Sequence, residues 1–536
     1  MTSQKHPNEK RHGKSHRDGD AAVPPPPDGG YGWVVVFASF ICNMMIDGIS
    51  YCAGIFLESL KDYYHEEEAK VSWVGSILTG VTMCLGPVVS VVANKFGCRA
   101  SCMAGALVAG ASFAVCIFSP TVEVLMLTYG VGGGIGFGLM YVPAVVCVGY
   151  YFESKRSLAT GIAVCGSGVG TIVIAPLAKY LLELYGWKGA NLALAAMCFG
   201  CVVMGFAMKP IEYKQREEKT VTMIYQNGNG LMQNDEKKSY TSLGDISASR
   251  HSIASNKSKK SNVLPPLSRQ DVLYSGSIRN LKEFQSQKSL QDFRQSMLSI
   301  PKAKRDYAGG CSRMLKELVD VELMKDPVFI TIALSNFLGF VGLYVPFVYI
   351  GGAAKEDGVD ELKRPLLISI IGISNTVGRI VCGFIGDMPK VNTLLVNNIC
   401  LLVLGISMGA MAFCHAFYSY AIAAFIYGTA MSGFISLTSI LLVEFLGLEK
   451  LTNAFGNLIL FRGTGSLLGP PLAGFIIKSS GYMQCFLAGC AFFAVSAGIS
   501  FAIPFVQRTK LKKLEVEVDD SLTPVNLSKC IESSAV

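Results

Sequence analysis

Charge is what this chain has least of. Lys, Arg, Asp and Glu make up 16% of its 536 residues, against 51% hydrophobic, too few to clothe the roughly three or four soluble domains that such a length accommodates. That composition excludes an ordinary water-soluble protein. Histidine is also sparse: three of the six (His6, His12, His16) lie in the N-terminal tail, there is no H-E-x-x-H, and no His cluster suits a metal. The chain is therefore read as no enzyme, with no cofactor and no metal. The 17 cysteines have irregular spacing inside apolar runs, so they read as reduced packing residues rather than a secreted disulfide framework. Cys198 and Cys201 stand close together, but without further ligands they read as helix packing. The polar start, MTSQKHPNEKRHGKSHRDGD, has no apolar core, so no cleavable signal peptide is expected before the first span.

The charge that is present is unevenly placed. Residues 209–326 hold 21 Lys and Arg against 14 Asp and Glu, whereas 28–208 and 327–506 together carry 33 charged side chains in 361 residues. Such stretches belong in lipid. A span needs roughly 20 mostly apolar residues, and twelve candidates occur, at about 33–57, 72–93, 101–119, 122–149, 157–180, 189–208, 327–353, 365–386, 393–414, 417–444, 452–477 and 483–506. The fold expected is an all-α polytopic membrane protein of twelve transmembrane helices in two six-helix bundles, 28–208 and 327–506. Residues 1–27 form a disordered tail, 209–326 a long and largely disordered connector rich in Ser, Asn, Gln and Lys, and 507–536 a second tail. Lys95, Arg99, Lys155, Arg156, Lys390, Lys450 and Arg508 all fall on one side of the spans, while HEEE at 65–68 falls on the other. The positive-inside rule then places both termini and the connector in the cytoplasm of a multi-pass plasma-membrane protein. Asn256 and Asn526 sit in N-x-S sequons on that side and are expected to stay unglycosylated. The basic connector contains no nucleic-acid module, so no nucleic acid is expected as partner.

Two bundles joined by a polar linker are the layout of carriers built as repeated halves, with the substrate near the midplane. NKFGCR (94–99) after span two has a counterpart in GFIGDMPK (383–390) after span eight. The glycine runs GVGGGIGFG (130–138), GSGVG (166–170) and GTGSLLGPPLAG (463–474) match neither G-x-G-x-x-G nor the P-loop pattern. In lipid they read as close helix packing, with Pro143, Pro176, Pro346 and the pair Pro470–Pro471 as kink points.

Charges deep within spans cost about 2.5 to 3.5 kcal/mol each on insertion scales and rarely face lipid. Asp47, Arg379 and Arg462 are three. Glu444 and Glu123 lie nearer span ends, where they can snorkel or cap, although Glu444 with Arg462 is retained as a structural or coupling candidate. Asn375 and Arg379, four residues apart, share a helix face and suit a planar carboxylate. Asp47 and Tyr51 share another face, and Tyr141 beside Pro143 is a further cavity candidate. A structural alternative is that Asp47 pairs with Arg379 or Arg462 between helices.

DGGYGW (28–33), YFESKRSLATGIAVCGSGVG (151–170) and GLEKLTNAFGNLILFRGTGSLLGPPLAG (447–474) resemble signatures of the monocarboxylate transporter family within the major facilitator superfamily. The likeness rests on Asp28, Gly29, Gly30, Gly32, Trp33, Tyr151, Phe152, Lys155, Arg156 and Gly161 and extends across both bundles. It implies a rocker-switch carrier of small organic acids, in several members coupled to protons and in some accompanied by a single-span accessory glycoprotein. The family arginine is matched by Arg379, but its acidic partner is replaced by Asn375 and its span-one lysine by Tyr51. That departure opens a second expectation: a carrier of zwitterions of the amino acid, creatine or carnitine kind, with Arg379 on the carboxylate and Asp47 on the positive group or a coupling ion. A non-transporting receptor of the same fold is the alternative from another class.

Overall fold

The computed structural model describes residues 27–153, 155–210, 271–276, 281–285, 323–386, 388 and 391–521. Both sequons, Lys390, and most of the tails and connector fall outside these ranges.

The described secondary structure is helical. The first half contains α1 (Gly32–Tyr51), α2 (Ala53–Tyr64), α3 (Glu68–Cys84), α4 (Gly86–Phe96), α5 (Cys98–Val115), α6 (Val122–Leu125), α7 (Gly133–Tyr151) and α8 (Arg156–Ala207). The second half contains α9 (Pro327–Leu343), α10 (Val345–Glu356), α11 (Arg364–Gly386), α12 (Thr393–Met411), α13 (Phe417–Ser436), α14 (Thr438–Leu446), α15 (Leu451–Ser480), α16 (Tyr482–Phe501) and α17 (Ile503–Ser521). Nine stretches among the described residues are long and apolar enough to cross a membrane, ten if the bent pair α3–α4 is one span. At about 1.5 Å per residue the 52-residue α8 would reach more than twice the thickness of a bilayer core. Gly186, at φ 64° and ψ −179°, breaks it into two helices. With the 30-residue α15, whose Gly- and Pro-rich middle lowers its hydropathy, the arrangement is consistent with twelve crossings.

Proline acts differently from site to site. Pro143, Pro470 and Pro471 lie inside helices, as does Pro176 in the part of α8 before the Gly186 break, whereas Pro346 starts α10 just after the break at Tyr344. The 52° bend within span two, where Pro87 opens α4, is a break that the sequence reading did not single out.

Small residues set the helix spacing. A Cβ on Gly170 would collide with the carbonyl oxygen of Met44, and one on Gly166 with that of Phe40. These glycines allow α1 to lie directly against α8, the close approach through which helices associate in lipid. Outward faces carry exposed Phe37, Leu107, Leu127, Val203, Ile406, Ile422 and Phe475, an apolar coat suited to acyl chains.

The two signatures seen in the sequence are each other's partners. The Asp28 carboxylate accepts a hydrogen bond from the Glu153 amide at 2.6 Å, and the Asp28 amide donates to the Tyr151 carbonyl at 3.0 Å. Trp33 meets Phe152 edge-on at 5.0 Å. The Tyr31 hydroxyl caps Ala207 O, and that of Tyr151 caps Lys209 O. DGGYGW thus anchors the start of α1 to the turn between α7 and α8 and to the end of α8.

Candidate functional site

Between the halves lies a cavity holding about 1490 Å³ of open space, counted to its mouth. The first half supplies Asp47 and Tyr51 from α1, Tyr141 from α7 and Gly161 from α8; the second half supplies Phe340, Tyr344, Arg379 and Arg462. Every intramembrane charge expected at the midplane therefore faces one opening, and none faces lipid.

Arg379 is 6% exposed. Its Nε donates to Asn375 Oδ1 at 3.1 Å, one turn earlier on α11. Asn375 is buried behind the arginine rather than lining the cavity, so its amide orients the guanidinium. With Nε engaged, the Nη edge can present two parallel N–H groups to a carboxylate, the geometry in which an arginine fork is strongest.

Arg462 is held differently. Its Nε and Nη2 donate to Asn336 Oδ1 at 3.0 and 2.7 Å, Nη2 also reaches Thr438 Oγ1, and the guanidinium lies 4.9 Å from the Phe340 ring centroid and 5.7 Å from that of Phe434. An amide, a hydroxyl and two aromatic faces replace its hydration. Asn336 and Thr438 come from α9 and α14, so Arg462 ties three elements of the second half together.

Asp47 is half-buried at the cavity wall, and the expected helix-to-helix ion pair is not formed. Among the described residues no salt bridge joins Asp47 to Arg379 or Arg462, which are occupied by Asn375 and by Asn336 and Thr438 respectively. A cavity with a cation on one wall and an anion on the other, unpaired, can take a guest bearing both charges.

Tyr51 is 2% exposed and stacks on Phe347 at 4.3 Å, with Tyr344 5.7 Å away. This aromatic layer bridges the halves and floors the cavity. Beyond it, Glu58 pairs with Lys355 and Arg364, and Lys179 pairs with Glu361, each joining one half to the other. That end is shut. Glu444 is exposed on α14 and does not line the cavity, so its role as a coupling group gains no support from its position. Lys155 is exposed, whereas Arg156 is 1% exposed and bonded to Phe152 O and Asp271. The sequence reading missed Phe340, Tyr344, Phe347, Asn336 and Thr438. No charge or motif marks them, and their roles arise from helix packing.

Residues 36–418 match the family model described as Major Facilitator Superfamily. Among curated proteins the chain is 29% identical over 457 residues to monocarboxylate transporter 9 of Gallus gallus, covering 84% of this chain and 88% of that one. It is 27% identical over 459 residues to monocarboxylate transporter 14 of Mus musculus, with coverages of 84% and 85%, and 27% over 502 residues to monocarboxylate transporter 12 of Mus musculus, with 92% and 90%. A crystal structure of a mutant of the nucleoside transporter NupG superposes with a TM-score of 0.59 at 11% identity, covering 88% of this chain and all of that one. The last likeness concerns the fold alone.

Proposed function

The chain belongs to the major facilitator superfamily, among relatives named monocarboxylate transporters, and from that premise we propose that it carries small organic acids across the plasma membrane by alternating access, with the substrate carboxylate on Arg379. It is a multi-pass membrane transporter and not an enzyme. The observation that carries the substrate reading is the arginine itself: a buried guanidinium, oriented through Nε by Asn375, with its Nη edge on a cavity between two halves. An arginine at this depth needs polar partners, and an anionic guest supplies them. Termini and connector lie on the cytoplasmic side, in keeping with the lysines and arginines that collect there.

Asp47 favours a second reading, a zwitterion with a cationic head. Tyr51, Tyr344 and Phe340 line the same cavity, and aromatic faces attract ammonium and guanidinium groups. Asn375 and Tyr51 stand where the family has a carboxylate and a lysine, so Asp47 is the carboxylate on this cavity that can carry a coupled proton. An uptake screen of lactate-type acids against carnitine-, creatine- and amino-acid-type zwitterions, with and without an imposed pH gradient, tests both readings. Stimulation by an inward proton gradient marks coupled uptake; saturable uptake indifferent to it marks facilitated movement. No uptake of any carboxylate contradicts the proposal. Co-purification of a single-span glycoprotein with active protein tests the accessory partner.

Asp47→Asn is expected to lower zwitterion uptake about tenfold or more, the loss of one desolvated charge contact. Uptake of a simple monocarboxylate should change less than about threefold, since such a guest has no positive end for Asp47 to hold. Zwitterion uptake undiminished in a well-expressed Asp47→Asn protein rejects the role given to Asp47.

A further inference from the structure

The end of the cavity opposite the Tyr51 layer is occupied by part of the connector. Val272, Leu273, Tyr274 and Ser275 line the cavity from a short turn in which the Tyr274 amide donates to Asp271 O at 3.1 Å. The turn holds both halves at once. Towards the first half, Arg156 Nη1 donates to Asp271 Oδ2 at 2.8 Å and to the Asp271 carbonyl at 2.7 Å, with the two side chains 1% and 0% exposed. The Val272 carbonyl lies where a Cβ on Gly149 would come within 2.5 Å of it. Towards the second half, Ser275 Oγ lies 2.6 Å from Ser439 Oγ, and the Ser275 amide donates to the same oxygen at 3.3 Å. Tyr274 and Leu281 sit in one apolar cluster with Phe329, Leu442 and Leu451.

These two attachments differ in kind. The second is an apolar cluster with neutral hydrogen bonds and no ion pair among the described residues. The first adds to the packing of Val272 in the main apolar core one buried ion pair that is not fully satisfied, because Arg156 Nη2 is buried without a hydrogen-bond partner among the described residues. Buried pairs with unmatched donors gain little over their separated, hydrated ions. Halves that rock about a central site cannot stay stapled together at that end, so one attachment must release.

We propose that residues 271–276 are a gate over the connector-side mouth of the cavity, carried on the second half by Tyr274 and Leu281 and released from the first half when the Asp271–Arg156 pair opens. This gate rests on the reading of the chain as an alternating-access carrier. It makes the connector a working part of the transporter, and any modification or ligand that separates Asp271 from Arg156 would open the cavity from that side.

Cys382 lines the cavity behind the gate and serves as the reporter. In the purified full-length protein, Asp271→Ala should raise the rate at which a bulky, charged maleimide labels Cys382, read by peptide mass spectrometry, about tenfold or more. A native labelling rate in a monodisperse Asp271→Ala protein overturns the gate. The native chain provides a second readout that does not depend on the variant folding. Amides of 272–276 should exchange hydrogen at least about tenfold faster than those in the middle of α7, as an opening element must. Exchange as slow as that of α7 means a fixed wall and overturns the gate as well. Neither readout uses transport, so a failure of the gate is told apart from a failure of the carrier reading, which the uptake screen tests.

Discussion

Arg379→Gln should lower carboxylate uptake by about 100-fold or more in proteoliposomes while leaving the amount of folded protein unchanged. Removing one partner of a desolvated charge contact costs about 2 to 5 kcal/mol, and each 1.4 kcal/mol is tenfold. The fold should survive, because Arg379 bonds within its own helix, to Asn375, and among the described residues makes no hydrogen bond to another element. Glutamine replaces a buried cation with a neutral amide, which lessens the burial penalty. Arg379→Lys keeps the charge and loses the fork, so it should retain more activity than Arg379→Gln and less than the native chain. Uptake within threefold of native in Arg379→Gln would remove the arginine from substrate binding.

Gly170→Leu should abolish assembly rather than activity. The helix axes of α1 and α8 are close enough that a Cβ at Gly170 meets the Met44 carbonyl, and backbone cannot yield as a flexible side chain can. Overpacking costs about 1 to 3 kcal/mol where side chains adjust. Here a helix must move, so the loss should be at the upper end or beyond, enough to remove a marginally stable membrane protein from the folded pool. Loss of the monodisperse peak in detergent is the readout. Gly200→Ala, on the same long helix but with nothing within 4 Å of its Cβ position, should leave the peak and the thermal midpoint in place. A monodisperse Gly170→Leu protein would show that this approach is not needed.

Much of the architecture was legible because lipid imposes a simple rule. Apolar runs of span length and a polar connector gave two bundles, and the basic loops separated the two faces. The close packing of GSGVG followed from the scarcity of other uses for glycine in hydrocarbon, and Gly166 and Gly170 fill that role. Intramembrane charge marked Arg379, Asp47 and Arg462, and all three face the cavity. Legibility ended where a role depends on what lies opposite. The sequence offered Asp47 as a partner for Arg462, yet Asn336, Thr438 and two phenylalanine rings hold that arginine, and a neutral side chain on a distant helix carries no mark of such a contact. The DGGYGW and YFESKR motifs were recognisable separately, but their pairing through Asp28 and Glu153 is a fact of tertiary structure. Asp271 was one acid among 14 in a segment of low hydrophobicity, and composition gave no sign that it would be fully buried against Arg156.

The most direct test is to see the guest in place. An electron-density or cryo-microscopy map of the purified chain soaked with a bromine-labelled propionate should put the bromine in the cavity between α1 and α11, with the carboxylate within hydrogen-bond distance of the Arg379 Nη atoms. The same soak of Arg379→Gln should leave the cavity without bromine. A carboxylate bound away from Arg379 in the native chain, or bromine at full strength in the variant, would contradict the account.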